Sequence, residues 1–284
     1  MKLVILVDNN ILEDKNHDEA VLRNEHGLSI FVETKNGKYL FDFGQGDTTM
    51  LDNSRALGVD LSHVDTAFLS HGHYDHSGGI LAFTSVNKNA KIVAHRDVVL
   101  PYFSDSTGSR RYIGLPEDLL SNKTVLNRFL FVGEEDEDIE ASFGDVCCFS
   151  IEKKQLRYSM PRGNSLLFDC DSKEDEFMHE IYFVVSEGDK KVLISGCAHK
   201  GICNILEAYK SRFGDMPDLI VSGLHLSSET DEDALMVARE LSDLLEGSKT
   251  RIFTGHCTGA KYDQIRDVLG DRIMRFETGF DVCV

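Results

Sequence analysis

The sequence holds no apolar run approaching the roughly 18 to 20 residues of a membrane-spanning helix, so it reads as a soluble chain with no membrane partner. It is also poor in positive charge, with 30 Lys and Arg against 48 Asp and Glu and a formal net charge of −18 at pH 7. Such a molecule repels polyanions and lacks the basic footprint of a nucleic-acid binder, so no nucleic-acid partner is expected. No repeat, low-complexity tract or Pro/Gly/Ser-rich linker divides the chain. One domain over residues 1–284 is therefore expected, with a loop-rich region at about 100–180. A secretion signal is missing too: Met1-Lys2-Leu3-Val4-Ile5-Leu6-Val7 is too short for a signal core, and Asp8-Asn9-Asn10 follows without a cleavage site. Seven cysteines, odd in number and irregularly spaced, favour reduced thiols and a cytoplasmic setting. Cys147, Cys148, Cys170, Cys203 and Cys283 are read as space-filling, since a free cysteine behaves as a small buried hydrophobe.

What is present is an alternation of strands and helices. Residues 28–33 and 39–43 are apolar segments joined through Asn36-Gly37, a hairpin turn pair. A helix is expected over 48–57, ending at Gly58, and a strand over 64–69 that runs straight into Ser70-His71. A brief helix follows Gly78-Gly79, then a strand at 91–94. The acidic runs 134–140 and 171–176 read as solvated loops. Strands at 181–186 and 191–195 form a second hairpin, followed by a helix at 201–213, a strand at 219–222 and a helix at 231–245. A strand at 251–253, a helix at 260–269 and a strand at 273–276 close the chain. Two halves of this kind suggest an α/β fold with two sheets face to face and helices outside.

Of eleven histidines, three fall within six residues in Ser70-His71-Gly72-His73-Tyr74-Asp75-His76-Ser77-Gly78-Gly79. In an extended segment His71, His73 and Asp75 share one side, and the turn begun by Asp75-His76 brings the last imidazole round to it. Imidazole and carboxylate suit zinc, iron(II) or manganese, whereas a core has little use for them at this spacing. His199 and His256 each follow an apolar strand, where open α/β folds place ligands, and are candidate metal ligands. His225 has the same placement. It is read either as a substrate contact or proton-transfer group or as a hydrogen-bonded structural residue. His17, His26, His63, His95 and His179 are isolated and read as surface or structural.

The H-x-H-x-D-H motif after a strand resembles the signature of the metallo-β-lactamase superfamily. The resemblance implies a four-layer αββα sandwich, with His71 and His73 on a first divalent metal and Asp75 and His76 on a second. Asp42, in Phe41-Asp42-Phe43-Gly44, matches the family's early acidic residue near the site. Ser195-Gly196-Cys197-Ala198-His199-Lys200-Gly201-Ile202, Ser222-Gly223-Leu224-His225-Leu226 and Gly255-His256-Cys257-Thr258-Gly259 narrow the likeness. They look like the branch that contains the 7,8-dihydropterin-6-methyl-4-(β-D-ribofuranosyl)aminobenzene 5′-phosphate synthases. Within this frame His199 is expected to complete the first metal site and His256 the second. Where most of the superfamily has a bridging Asp, this chain has Cys197, either a soft ligand suited to zinc or a bystander.

One or two divalent ions are thus expected, zinc first and manganese or iron as alternatives. A bound metal makes hydroxide available at neutral pH and polarises a carbonyl or phosphoryl oxygen, which is hydrolytic chemistry. Asp75 is a candidate catalytic group as well as a ligand, and His225 a second. Asn9 and Asn10 after the first strand, and Thr258 and Gly259 at a helix start, are candidate substrate donors, with turn chemistry as the other reading of the asparagines. The expected function is a metal-dependent hydrolase of a small, phosphorylated or pterin-like molecule. A synthase of pterin-cofactor biosynthesis and a non-catalytic metal-binding sensor or scaffold are the alternatives.

Overall fold

The computed structural model describes residues 1–12, 22–106, 108–133, 140–161, 166–168 and 173–284. Two seven-stranded sheets pack face to face. In the first, strands Asp281–Cys283, Lys2–Val7, Ser29–Glu33, Lys38–Phe41, Thr66–Phe68, Lys91–His95 and Phe129–Val132 lie side by side in that order. In the second the order is Ile273–Arg275, Arg251–Gly255, Leu219–Gly223, Lys190–Ser195, Tyr182–Glu187, Val146–Phe149 and Glu140–Phe143.

The two-residue period of each strand sorts its side chains into layers. Leu3 and Ile5 join Phe41, Phe68, Phe183, Val185 and Phe253 between the sheets, whereas Val4 and Leu6 face outward with Met50, Ile80 and Phe83 of the helices Thr49–Ala56 and Ile80–Val86. On the other side Tyr182, Val184, Leu193 and Ile220 pack under helices Ile202–Phe213, Asp231–Leu244 and Tyr262–Leu269. Because both faces of the central strands are buried, the strands are almost continuously apolar, and the result is an αββα sandwich. Phe68 sits at its centre, with ring centroids 5.0 Å from Phe41 and 5.1 Å from Phe183. Truncating such a ring typically costs about 3–5 kcal/mol.

Half of each sheet is parallel. Lys38–Phe41 through Phe129–Val132 run one way in the first sheet, and Lys190–Ser195 through Ile273–Arg275 in the second. Ser195 is opposite Ser222 and Gly223 opposite Gly255, so these strands end level with one another. The segments that follow them emerge at one edge of the sandwich.

Most expected elements are present, with boundaries moved by a residue or two; the helix at 260–269 begins at Tyr262 after a tight 3-10 segment, His256–Lys261. The irregular reading of 100–180 needs correction. Phe129–Val132, Glu140–Phe143 and Val146–Phe149 complete the two main sheets, and Tyr102–Ser104, Arg111–Tyr112, Leu166–Phe168 and Lys173–Glu174 form a small third one. The closing strand Asp281–Cys283 was also not foreseen, because three residues are too few to show a period. Cys283 on it is exposed and fills no core. Asp175, read as part of a solvated run, is buried and accepts from the Phe177 N–H. Residues 134–139, 171 and 172, together with Cys170 and His17, lie outside the described residues. No described helix is long and apolar enough to cross a membrane.

Candidate metal centre

The strand Thr66–Phe68 delivers Ser70 and His71; rather than staying extended through Asp75, the chain bends at His71 and Gly72, and after His73 (φ −94°, ψ 150°) the single turn Tyr74–Ser77 swings Asp75 and His76 inward. From the second sheet come Cys197 and His199 after Lys190–Ser195, His225 after Leu219–Gly223, and His256 after Arg251–Gly255. The level strand ends place all of these together. Asp75, His76, Cys197 and His256 offer ligand atoms within 4.8 Å of one another, as do His71, Cys197 and His199. Cys197 belongs to both groups.

Backbone strain is concentrated here. Among the described residues, the non-glycine ones at positive φ are Asp42, Phe177, Ala198, His225 and His256, all at the site or packed on it; Phe177 stacks on His199 at 4.4 Å. Such conformations cost of order 1–3 kcal/mol each and persist where the surrounding structure imposes them.

Hydrogen bonds fix the imidazole tautomers. Asp42 accepts from Ser70 N–H (2.8 Å), from the Ser70 hydroxyl (2.8 Å) and from His76 Nδ1 (2.7 Å). With its proton given to Asp42, Ser70 Oγ accepts from His71 Nδ1 at 2.9 Å. One buried carboxylate thus leaves Nε2 of both His71 and His76 as bare lone pairs turned to the centre. His256 Nδ1 is held by Asn9 Oδ1 at 3.0 Å, and the His256 N–H donates to Asp8 Oδ2 at 2.6 Å. His199 N–H and Lys200 N–H donate to the two oxygens of buried Glu180, which also accepts from the Tyr182 hydroxyl.

The donor atoms crowd as ligands do. His76 Nε2 lies 3.2 Å from both His256 Nε2 and Cys197 Sγ, and His199 Nε2 lies 3.3 Å from His71 Nε2. His73 Nε2 is buried in the wall of the same cavity with no hydrogen-bond partner. Burial, reinforced by neighbouring histidines, pushes His71 and His199 well below their ordinary pKa, His73 to about 3 and His225 to about 4, so these rings are neutral, the state that binds metal. Burial would lower His256 too, yet Cys257 and Asp75 raise it to about 9. A proton there holds the place a cation would take. Buried imidazoles, a carboxylate and a thiol with an orphaned ring nitrogen fit a divalent metal, and the sulfur favours zinc.

Around these groups lies a cavity of about 150 Å³ whose wall includes Asn9, His73, Asp75, Cys197, His199, His225, His256 and Gly259. Two expected substrate residues are not on it. Asn10 is exposed with its N–H bound by Asp8, the turn chemistry of the alternative reading. Thr258 is spent inside, bonded to Thr254 at 2.6 Å and to Leu224 N–H at 3.0 Å, because the 3-10 segment turns its side chain to the second sheet.

Of the isolated histidines, His26 reaches the cavity, with Nε2 3.3 Å from Asp75 Oδ2. His179 accepts from Gly72 N–H at 2.8 Å, donates to Asp175 and stacks on Tyr102, and with His73 and Asp175 it offers ligand atoms within 4.8 Å of one another. His95 caps Asp97 N–H and His63 pairs with Asp60 on the surface. Sequence reasoning missed His26 and Arg111 on the cavity wall, and Asp8 and Glu180, which hold the backbone of His256 and His199 behind it. Asp8 alone carried a signal, an acid directly after the first strand.

Comparison with known proteins agrees with this geometry. A profile of the metallo-β-lactamase superfamily matches residues 22–151. An uncharacterised protein of Methanocaldococcus jannaschii is 30% identical over 243 residues, covering 84% of this chain and 85% of its own. The 7,8-dihydropterin-6-methyl-4-(β-D-ribofuranosyl)-aminobenzene-5′-phosphate synthase of the same organism is 28% identical over 265 residues, covering 85% and 84%. A crystal structure described as a metal-dependent hydrolase of the β-lactamase superfamily superposes with a TM-score of 0.79 at 26% identity, covering 100% of this chain and 99% of its own. Sandwich, histidine motif and relatives coincide, and the chain belongs to the metallo-β-lactamase superfamily.

Proposed function

We propose that this chain is a metal-dependent hydrolase of a small organic substrate, phosphorylated or pterin-like. The observation that carries the reading is that Asp75, Cys197, His199 and His256 line one cavity and, with His71 and His76, make two compact donor groups that share Cys197. His71, His73 and His199 would hold one ion and Asp75, His76 and His256 a second, with Cys197 between them. A divalent metal supplies Lewis acidity and an activated water at neutral pH.

The chain's own groups do the rest. Asp75, with Oδ2 within 3.4 Å of His256 and 3.3 Å of His26, accepts and returns a proton. Neutral His225, on the cavity wall, offers a ring N–H to a substrate oxygen. Asn9 fixes His256 and borders the cavity. The buried free thiols Cys148, Cys197, Cys203 and Cys257 support a cytoplasmic setting as part of this proposal.

The synthase alternative is supported by the relative of that name at 28% identity. The test is turnover of bis(p-nitrophenyl) phosphate, p-nitrophenyl phosphate and p-nitrophenyl acetate by the zinc- and manganese-loaded protein beside Asp75→Asn. Hydrolysis of at least one, lost in the variant, is expected. Full metal loading with no hydrolysis would overturn the hydrolase reading and leave condensation of a dihydropterin substrate, or a scaffold, to be assayed.

A further inference from the structure

Arg111 stands at this cavity, in a region where the sequence offered no motif. It lies on the two-residue strand Arg111–Tyr112, opposite Ser104. Ile113 donates its N–H to Tyr102 O at 2.8 Å and accepts from Tyr74 N–H at 2.9 Å. The arm that carries Arg111 is therefore tied to the turn that presents Asp75 and His76. Its guanidinium carbon sits 5.7 Å from the centroid of the Tyr74 ring, a cation–π contact that restricts where the fork points.

No described carboxylate pairs with Arg111, although the chain carries 48 acidic residues. Neighbouring Arg110 pairs with Asp105, and Arg157 and Arg23 likewise have acidic partners. Among the described residues of the cavity wall, Arg111 is the one permanently charged cation, and the one carboxylate there, Asp75, is engaged by histidines. A net charge of −18 repels an anion at long range, so an anionic substrate needs a local cation, whereas a neutral substrate gives an unpaired guanidinium at the site nothing to bind. The planar fork of donors matches carboxylate or phosphate.

We propose that Arg111 is a specificity residue that binds an oxyanion, phosphate or carboxylate, on the part of the substrate remote from the reacting bond. This rests on the reading of the cavity as a metal-dependent active site and names the class of molecule it takes.

Three small probes share a 2-hydroxycarboxylate head that can chelate a metal: L-lactate, without a distal anion; L-malate, with a distal carboxylate; and 3-phosphoglycerate, with a distal phosphate. Calorimetric titration into the zinc-loaded protein and its Arg111→Met and Arg111→Lys variants, at fixed ionic strength, separates the contributions. Wild type is expected to bind at least one distal anion about tenfold more tightly than lactate. Arg111→Met is expected to remove that increment and leave lactate binding unchanged, and Arg111→Lys to restore part of it. The ratio of malate to 3-phosphoglycerate affinity distinguishes carboxylate from phosphate. An increment that is absent, or that survives in Arg111→Met, overturns the Arg111 assignment while metal loading still supports the active-site reading. Failure of the wild type to take up zinc overturns both.

Discussion

His76 Nε2 and His256 Nε2 face each other at 3.2 Å across the two sheets, though 180 residues separate them in the chain. Each ring is held from behind, His76 by Asp42 and His256 by Asn9, so neither can turn its lone pair away. The pair tolerates this only with a positive charge between the rings, a proton in the metal-free protein and a metal ion otherwise.

That relationship makes the two donor groups separable. Alanine at His256 should weaken one metal and leave the other, and alanine at His199 should do the reverse. Zinc titration into the apo forms reads this directly, with about one equivalent lost in each variant. Unchanged stoichiometry in both would remove these histidines from the site.

Asp42 touches neither the cavity nor a ligand atom that would face the metal, yet it fixes the tautomers of His71 and His76 together. Asp42→Ala should weaken metal binding by about 10–100-fold, the range typical for residues that orient ligands. Metal competition with a chelator measures it. An affinity within twofold of wild type would show that the Ser70 and His76 bonds to Asp42 are dispensable.

The pH dependence of the metal-free fold has two limbs. His71, His73, His199 and His225 have folded pKa values depressed below the unfolded value near 6.5, so the unfolded chain binds more protons once the pH falls below it. Each contributes a loss of about 1.4 kcal/mol per pH unit below about 6.5, until its folded form also titrates. His256 is opposite in sign: raised to about 9, its contribution is full below about 6.5 and is lost as the pH rises through about 9. Thermal melts in chelator between about pH 5 and 9.5 should show a maximum near neutrality. A melting temperature that climbs steadily toward acid would contradict the neutral state of the four histidines.

Packing behind the motif is equally testable. A Cβ at Gly78 would lie 1.8 Å from Gln45 O, and both are backbone-anchored, since Gly78 N–H is bonded to Gly44 O at 3.0 Å. At Gly58 a Cβ meets nothing within 4 Å, and only the φ of +69° opposes it. Urea unfolding of Gly58→Ala should therefore show a loss of about 1–2 kcal/mol, the ordinary cost of a left-handed residue. Gly78→Ala should lose more, about 3 kcal/mol or above, because backbone must move. Equal losses would mean that the 44–46 loop yields easily.

The αββα layering was legible from the order of strands and helices in two halves and from the resemblance carried by the histidine motif, whereas a continuously apolar strand such as Leu3-Val4-Ile5-Leu6 does not say which residue faces which layer. The H-x-H-x-D-H motif was legible because its donors are close in sequence and too polar to bury without a purpose. His199 and His256 could be proposed from their places after apolar strands. Cys197 was visible as a departure from an expected Asp, but its position in both donor groups is a fact of three dimensions.

Tertiary structure alone decided the remainder. Thr258 and Asn10 stand beside cavity-lining residues in sequence and still miss the cavity, because one 3-10 turn and one Asx turn direct them elsewhere. His26, Glu180 and Arg111 reach the site from segments with no motif, since a side chain's environment depends on which strands end level with one another. Period and motif are local properties of the chain. Register between distant strands is not, and in this protein register brings the donors of two sheets to within 3.2 Å of each other.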